Sequence, residues 1–155
     1  MFISVRVIII FGFFLRILVS VWNGFFEFEF GQAADIGSFH ARAADFSQNP
    51  SIQICEDQVA HVFICVLGFL YFLTTDSLFQ GSLFSNFAWL ASALILFESM
   101  KLLSIEKRLQ KQAMLIYVLF PSSIILTSIT LREPYQLLFV NLLIYSSLKI
   151  YFNKY

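Results

Sequence analysis

The residues whose types could do chemistry lie in two short polar segments. The first holds Asp35, His40 and Arg42, and the second holds Arg132 and Glu133. A carboxylate at a boundary between water and lipid can act as a general base, since partial desolvation raises its pKa towards the working pH. A guanidinium can bind a phosphate through two parallel hydrogen bonds. The two segments therefore predict base catalysis and phosphate binding, if the fold brings them together.

These residues also have structural interpretations. Asp is a preferred N-cap, and the residues alone favour a capping role for Asp35 over a role as base. His40 could contact a phosphate or a metal, but it has no ligand-spaced partners and is typical of a polar surface residue. Arg132 and Glu133 have two interpretations that the residues favour about equally. They could form a functional site, or they could simply extend their charges into water from the end of a span.

The amino-acid composition indicates that the elements that position these segments lie in lipid. Of the 155 residues, 59% are hydrophobic and 13% are charged, and the net charge is zero. Such an apolar excess needs lipid to cover it, since a soluble domain would carry about a quarter of its residues charged. The absence of a basic excess and of binding motifs argues against a nucleic-acid partner. The sequence predicts an all-α polytopic membrane protein.

Four apolar stretches are predicted to cross the bilayer, namely Val7–Trp22, Leu83–Leu103, Gln112–Ile129 and Tyr135–Tyr151. A fifth, Val59–Leu73, is shorter than the roughly 20 residues that a span needs and is predicted to be re-entrant or juxtamembrane. Pro121 predicts a kink whose freed carbonyls Ser122 and Ser123 could satisfy. Arg16, inside the first span, could pair with Glu27, Glu29 or a lipid phosphate.

Charge bias sets the orientation of these spans. Four basic residues follow the second span, Lys101, Lys107, Arg108 and Lys111, and they predict a cytoplasmic turn. With Val59–Leu73 not spanning, the N-terminus is cytoplasmic, and both polar segments lie outside.

The external loop is predicted to contain a short amphipathic helix on the membrane surface. Its apolar face would hold Ile36, Phe39, Ala43 and Phe46, and its polar face Asp35, Ser38, Arg42 and Asp45. Arg42 and Asp45 are three residues apart and fit a solvated ion pair. Cys55 and Cys65 would lie too far apart for a disulfide on one helix and are predicted to be buried thiols.

Two strings carry a resemblance to a known family: QAADIGSFHARA at 32–43 and LFPSSIILTSITLREP at 119–134. With the first span and its internal arginine, they resemble the N-terminal part of bacterial membrane glycosyltransferases of the GT-C type. The resemblance implies a polyprenyl phosphate sugar as donor, an unidentified acceptor, and work on cell-surface polysaccharide in the bacterial plasma membrane. It implies that Asp35 is the base and that Arg132 and Glu133 lie near the donor phosphate.

Family members typically continue with further spans, so the sequence is expected to be one transmembrane domain over 1–155, the N-terminal fragment of a longer protein. His40 and Arg42 are predicted to contact the substrate, and a divalent metal ion could serve as a cofactor. The alternative is a non-catalytic subunit packing against a larger membrane partner. Small residues on one helix would then allow close approach, namely Ala88, Ala91, Ser92 and Ala93.

Overall fold

A computed structural model describes residues 4–26, 33–50 and 59–152; for residues 33–35 and 59–61 it describes the backbone alone. The described part of the chain is helical and contains no β-strand. The helices in chain order are α1 Val5–Phe25, α2 Ala33–Gln48, α3 Val59–Leu73, α4 Leu78–Leu102, α5 Lys107–Leu119, α6 Pro121–Thr127 and α7 Glu133–Phe152. The predicted all-α fold is confirmed for these residues.

Two of the described helices, α1 and α4, are long and apolar enough to cross a membrane. A third crossing is present if α5 and α6, which meet at a bend of 56°, form one broken span. Helix α7 has 20 residues but falls short of the same test, because Gln136, Asn141 and Lys149 dilute its apolar character. Two spans, or up to three, are supported, and the predicted fourth crossing by α7 stays a prediction.

The predicted kink at Pro121 is confirmed by the 56° bend between α5 and α6. Proline has no backbone N–H and its ring clashes with the preceding turn, so one helix ends and another begins there. The break leaves the carbonyl of Val118 without its usual helical donor. That carbonyl accepts a hydrogen bond from Arg16 Nη1 at 3.0 Å, rather than from Ser122 or Ser123.

Arg16 joins α1 to the broken pair from inside the bundle, and its side chain is completely buried. Its Nε donates to Thr127 Oγ1 at 2.7 Å, and its Nη2 donates to Ser123 Oγ at 3.1 Å. The guanidinium carbon also lies 3.5 Å from the ring centroid of Trp89 on α4. The charge is thus held by neutral acceptors and an aromatic face.

The partners predicted for Arg16 were different. Contact with a lipid phosphate is wrong, because protein atoms cover the whole side chain. Glu27 and Glu29 lie outside the described residues.

Contacts along the helices fix their directions. The end of α1 meets the start of α4, where a Cβ at Gly24 would lie 2.9 Å from Phe79 Cβ, while Arg16 meets Trp89 further along, so the two helices are antiparallel. Helices α5 and α6 follow the direction of α1, and α7 follows that of α4. We call the end with α2, α3 and the start of α4 the loop end, and the end with the start of α1 and the α4–α5 turn the basic end.

Helix α2 packs on α3. Ala43 is completely buried, and a Cβ added to Gly68 of α3 would lie 2.9 Å from the Ala43 carbonyl oxygen and 2.6 Å from Phe46 Cδ1. The rings of Phe39 and Phe63 meet edge to face with centroids 5.4 Å apart. The predicted helix is present, but α3 covers the apolar face that was expected to lie on lipid.

Cys65, in the middle of α3, is disulfide-bonded. The prediction of a buried thiol at this position is therefore wrong. It rested on both cysteines sharing one helix, whereas α3 begins at Val59, after Cys55. Cys55, the other cysteine of the sequence, lies outside the described residues.

Candidate functional site

The two polar segments meet at the loop end of the bundle. Ile36, the residue after Asp35, is buried in a small apolar cluster with Ile129 and Leu131. Leu131 directly precedes Arg132. Burial of these side chains brings the first turn of α2 next to the connection between α6 and α7, so the backbones carrying Asp35 and Arg132 share one end of the molecule.

Asp35 lies within the first turn of α2 rather than before it. The helix begins at Ala33, so Asp35 is its third residue and does not occupy the predicted N-cap position. A carboxylate in the first turn is favoured by the partial positive charge at a helix N-terminus. The Asp35 side chain lies outside the described atoms. Arg42, on the same helix, is exposed.

Arg132 directly precedes α7, and Glu133 is the first residue of that helix. The Arg132 Nε and a Glu133 carboxylate oxygen lie 4.0 Å apart, a long ion pair in which the Arg132 side chain is 47% exposed. The second Glu133 oxygen, Oε2, is buried and accepts no hydrogen bond from the described residues. Because a buried oxygen without a donor costs free energy, it marks a place where a ligand hydroxyl would be stabilised.

A groove of about 390 Å³ runs between α6 and α7 and reaches Glu133. Its walls are mainly apolar and include Leu126, Leu137 and Val140, while Gln136 adds a polar group near the Glu133 end. A volume of several hundred cubic ångströms is typical of small-molecule sites. The groove thus combines mainly apolar walls with one carboxylate, that of Glu133.

His40 is half-buried and contacts α3. Its Nδ1 lies 3.0 Å from the hydroxyl of Tyr71, a residue that is 3% exposed. Burial lowers the pKa of His40, and the negative charge of Asp76 acts in the opposite direction. Burial also raises the pKa of Tyr71. The imidazole nitrogen and the phenol share one hydrogen bond, in which the tautomer of His40 decides which group donates.

The hydrogen bonds continue from this pair towards the second polar segment. Thr130 Oγ1 donates to the carbonyl of Leu78 at 3.2 Å and lies 3.4 Å from Ser82 Oγ. A Cβ at Gly81 would lie 2.7 Å from Thr130 Oγ1 and would also collide with the Tyr71 hydroxyl. Glycine is therefore required at position 81 for α4 to approach both groups.

Sequence reasoning identified His40 but missed Tyr71, Thr130 and Ser82. The sequence signal that could have identified Tyr71 is its hydroxyl, a polar group near the end of the otherwise apolar stretch Val59–Leu73. No three His, Cys, Asp or Glu side chains within the described ranges form a group that could hold a metal ion. The described polar groups at this end are linked by hydrogen bonds within the protein.

Comparison with protein-family models, with curated proteins and with solved structures finds no match to this chain.

Proposed function

We propose that this protein is a membrane-embedded glycosyltransferase that takes a sugar from a polyprenyl phosphate donor during assembly of a cell-surface polysaccharide or glycolipid. The observation that carries the proposal is the apolar groove between α6 and α7, which reaches Glu133 next to Arg132. A polyprenyl phosphate sugar likewise joins an apolar part to polar parts, since it consists of an apolar chain, an anionic phosphate and a polar sugar. The groove would hold the first part of the chain.

Each charged residue then has a role. Arg132 binds the donor phosphate, and the unpartnered Glu133 oxygen accepts a hydrogen bond from a sugar hydroxyl. The acceptor hydroxyl oxygen attacks the anomeric carbon, and the bond from that carbon to the phosphate oxygen breaks with its electron pair leaving on the polyprenyl phosphate. Asp35 takes the proton of the acceptor hydroxyl. Attack opposite the leaving group inverts the anomeric carbon.

The proposed location is the bacterial plasma membrane, with the N-terminus in the cytoplasm. The basic end carries Lys101, Lys107 and Arg108, and positive residues next to spans favour the cytoplasmic side. The loop end, with the proposed site, would then face outwards. A reporter fused after Glu133 tests this orientation, and a cytoplasmic signal there would contradict it.

The proposal is tested by replacing Asp35 and measuring sugar transfer. Membranes containing the natural protein are incubated with undecaprenyl phosphate carrying a radiolabelled sugar, and label in the acceptor fraction is counted for a panel of sugars. Loss of a general base lowers the rate by about 100-fold or more, so we expect that loss for Asp35→Asn. Asp45→Asn is the matched control, because it removes an exposed carboxylate from the same helix.

Binding separates the roles of the two segments. Arg132→Gln should weaken binding of undecaprenyl phosphate about tenfold, the loss of roughly one charge-assisted hydrogen bond, while Asp35→Asn should leave it unchanged. Arg108→Gln, at the opposite end, is the control for charge. Normal transfer by a well-expressed Asp35→Asn protein would remove Asp35 from the role of base, and unchanged binding by Arg132→Gln would remove the phosphate site.

The alternative proposal, a non-catalytic subunit, relied in part on small residues of α4 being accessible to a partner helix. Four small residues were expected to let a partner helix approach α4: Ala88, Ser92 and Ala93 are buried within this chain, and Ala91 is half-buried. Ser92 is already used, since its hydroxyl accepts a hydrogen bond from Asn141 Nδ2 on α7 at 2.8 Å. The three buried residues are therefore covered by this chain's own helices.

A further inference from the structure

The basic end of the bundle contains a cavity of about 780 Å³, larger than the groove between α6 and α7. It lies where the start of α1, the end of α4 and the start of α5 come together. None of the proposed transfer chemistry uses it, because Asp35 and Arg132 lie at the loop end. The cavity therefore needs its own explanation.

The described charged residues that line this cavity are all basic. Its walls carry Arg6, Lys101, Lys107 and Lys111, and none of the described residues that line it is acidic. Glu98 offsets one of these charges, since it accepts a hydrogen bond from Lys101 Nζ at 2.6 Å. Arg6 and Lys107 are exposed, and each lies more than 4.0 Å from every described carboxylate.

The cavity also has apolar walls, to which Val5, Phe97 and Ile105 contribute. It sits at the ends of α1 and α4, the two helices able to cross a membrane. In a bilayer crossed by these two helices, the cavity would lie at the depth at which lipid headgroups meet the first carbons of their acyl chains. The wall composition thus matches a molecule that joins an anion to a hydrocarbon chain.

We propose that the cavity at the basic end binds the phosphate headgroup of an anionic phospholipid such as phosphatidylglycerol. The cations of α1, α4 and α5 surround the phosphate, and the apolar walls contact the beginning of one acyl chain. Basic pockets between membrane helices are known to take anionic headgroups. This site is independent of the glycosyltransferase proposal and would stand if that proposal failed.

The test is a lipid titration of the detergent-solubilised protein, read by native mass spectrometry as the fraction of chains with one bound lipid. We expect phosphatidylglycerol to bind at least about tenfold more tightly than phosphatidylcholine. Arg6→Gln/Lys107→Gln should weaken phosphatidylglycerol about 30-fold, which is about 2 kcal/mol for two charges near a membrane surface. Both side chains are exposed, so the fold should persist, as circular dichroism would verify.

Arg108→Gln/Lys149→Gln is the matched control, because it removes two exposed charges that lie outside the cavity from the same end of the molecule. We expect less than a threefold change in this variant. Equal weakening by both double variants would show a diffuse positive surface and overturn the proposal. Equal binding of the two lipids by the unaltered protein would overturn it without any variant. Competition by inorganic phosphate at low millimolar concentration would assign the site to free phosphate instead.

Discussion

Gly12 lies at a close contact between α1 and α5, and we expect Gly12→Ala to force the two helices apart. A Cβ at this position would collide with Val118 Cγ1 and would lie 3.2 Å from Trp89 Cη2 and 3.4 Å from Arg16 Nη1. Val118 and Trp89 are completely buried, so neither has open space into which it can move. The new methyl group must displace a helix or turn a side chain away from its preferred rotamer.

Two opposing terms set the size of the effect. Alanine is a better helix former than glycine by about 1 kcal/mol, and overpacking a well-filled core costs about 1–3 kcal/mol. Because the new methyl group would overlap Val118 Cγ1, the upper part of that cost, about 2–3 kcal/mol, applies. After the gain in helix propensity we expect Gly12→Ala to lower the free energy of unfolding by about 1–2 kcal/mol. Val118→Ala alone should lower it by about 2 kcal/mol, because two buried methyl groups are lost.

The double variant separates collision from other effects. In Gly12→Ala/Val118→Ala the colliding methyl is gone, and the new methyl fills part of the space. The double variant should therefore be about 1–2 kcal/mol more stable than the sum of the single changes predicts. Unfolding would be measured by titrating sodium dodecyl sulfate into mixed micelles and recording helical circular dichroism.

Gly37→Ala is the matched control, since Gly37 is exposed on α2 and a Cβ there meets no atom within 4 Å. We expect it to be neutral or to gain up to about 1 kcal/mol from helix propensity. If Gly12→Ala behaves like Gly37→Ala, or if the double variant is additive, the close packing of α1 on α5 is refuted.

Other expectations follow from single features. Ser104, in the turn after α4, has a φ of 53°, a left-handed conformation that favours glycine. Ser104→Gly should raise the free energy of unfolding by up to about 1 kcal/mol in the same micelle titration, and a loss would show that the hydroxyl is needed. Burial lowers the pKa of His40, so the folded state favours the neutral ring. Its stabilisation is complete above the unfolded pKa, which lies near 6.5, and should decline as the pH falls through the folded value. His40→Asn should flatten the dependence of unfolding free energy on pH between about 7 and about 5, and an unchanged slope would contradict the assignment.

Most helices could be predicted from apolar periodicity and length. The stretch predicted as Val59–Leu73 coincides with α3. Helix α4 begins at Leu78, five residues before the predicted Leu83, because the side chain of Ser77 caps it by accepting from Gln80 N at 3.1 Å. The helix start could not be recognised from apolar residues, because its first turns contain polar residues. A search for apolar stretches detects composition and does not detect an N-cap.

The contacts between side chains at the loop end could not be predicted from local sequence patterns. His40 and Tyr71 are separated by 31 positions and Ser82 and Thr130 by 48, so only the folded chain brings each pair together. Gly81 gave no local sign that two side chains from other segments occupy the place of its missing Cβ. A single sequence shows which residues could take part, and the tertiary packing decides which of them meet.

The buried charge of Arg16 and the break at Pro121 explain each other. A lone guanidinium inside a span needs several acceptors, and within α1 itself Arg16 Nη1 donates only to the Gly12 carbonyl, at 3.1 Å. The break frees the Val118 carbonyl and brings Ser123 and Thr127 towards α1, and all three accept hydrogen bonds from Arg16. The same break sets the direction of α6, which forms one wall of the groove. In the proposed enzyme, an arginine far from the sugar would thus shape the site that holds the lipid carrier.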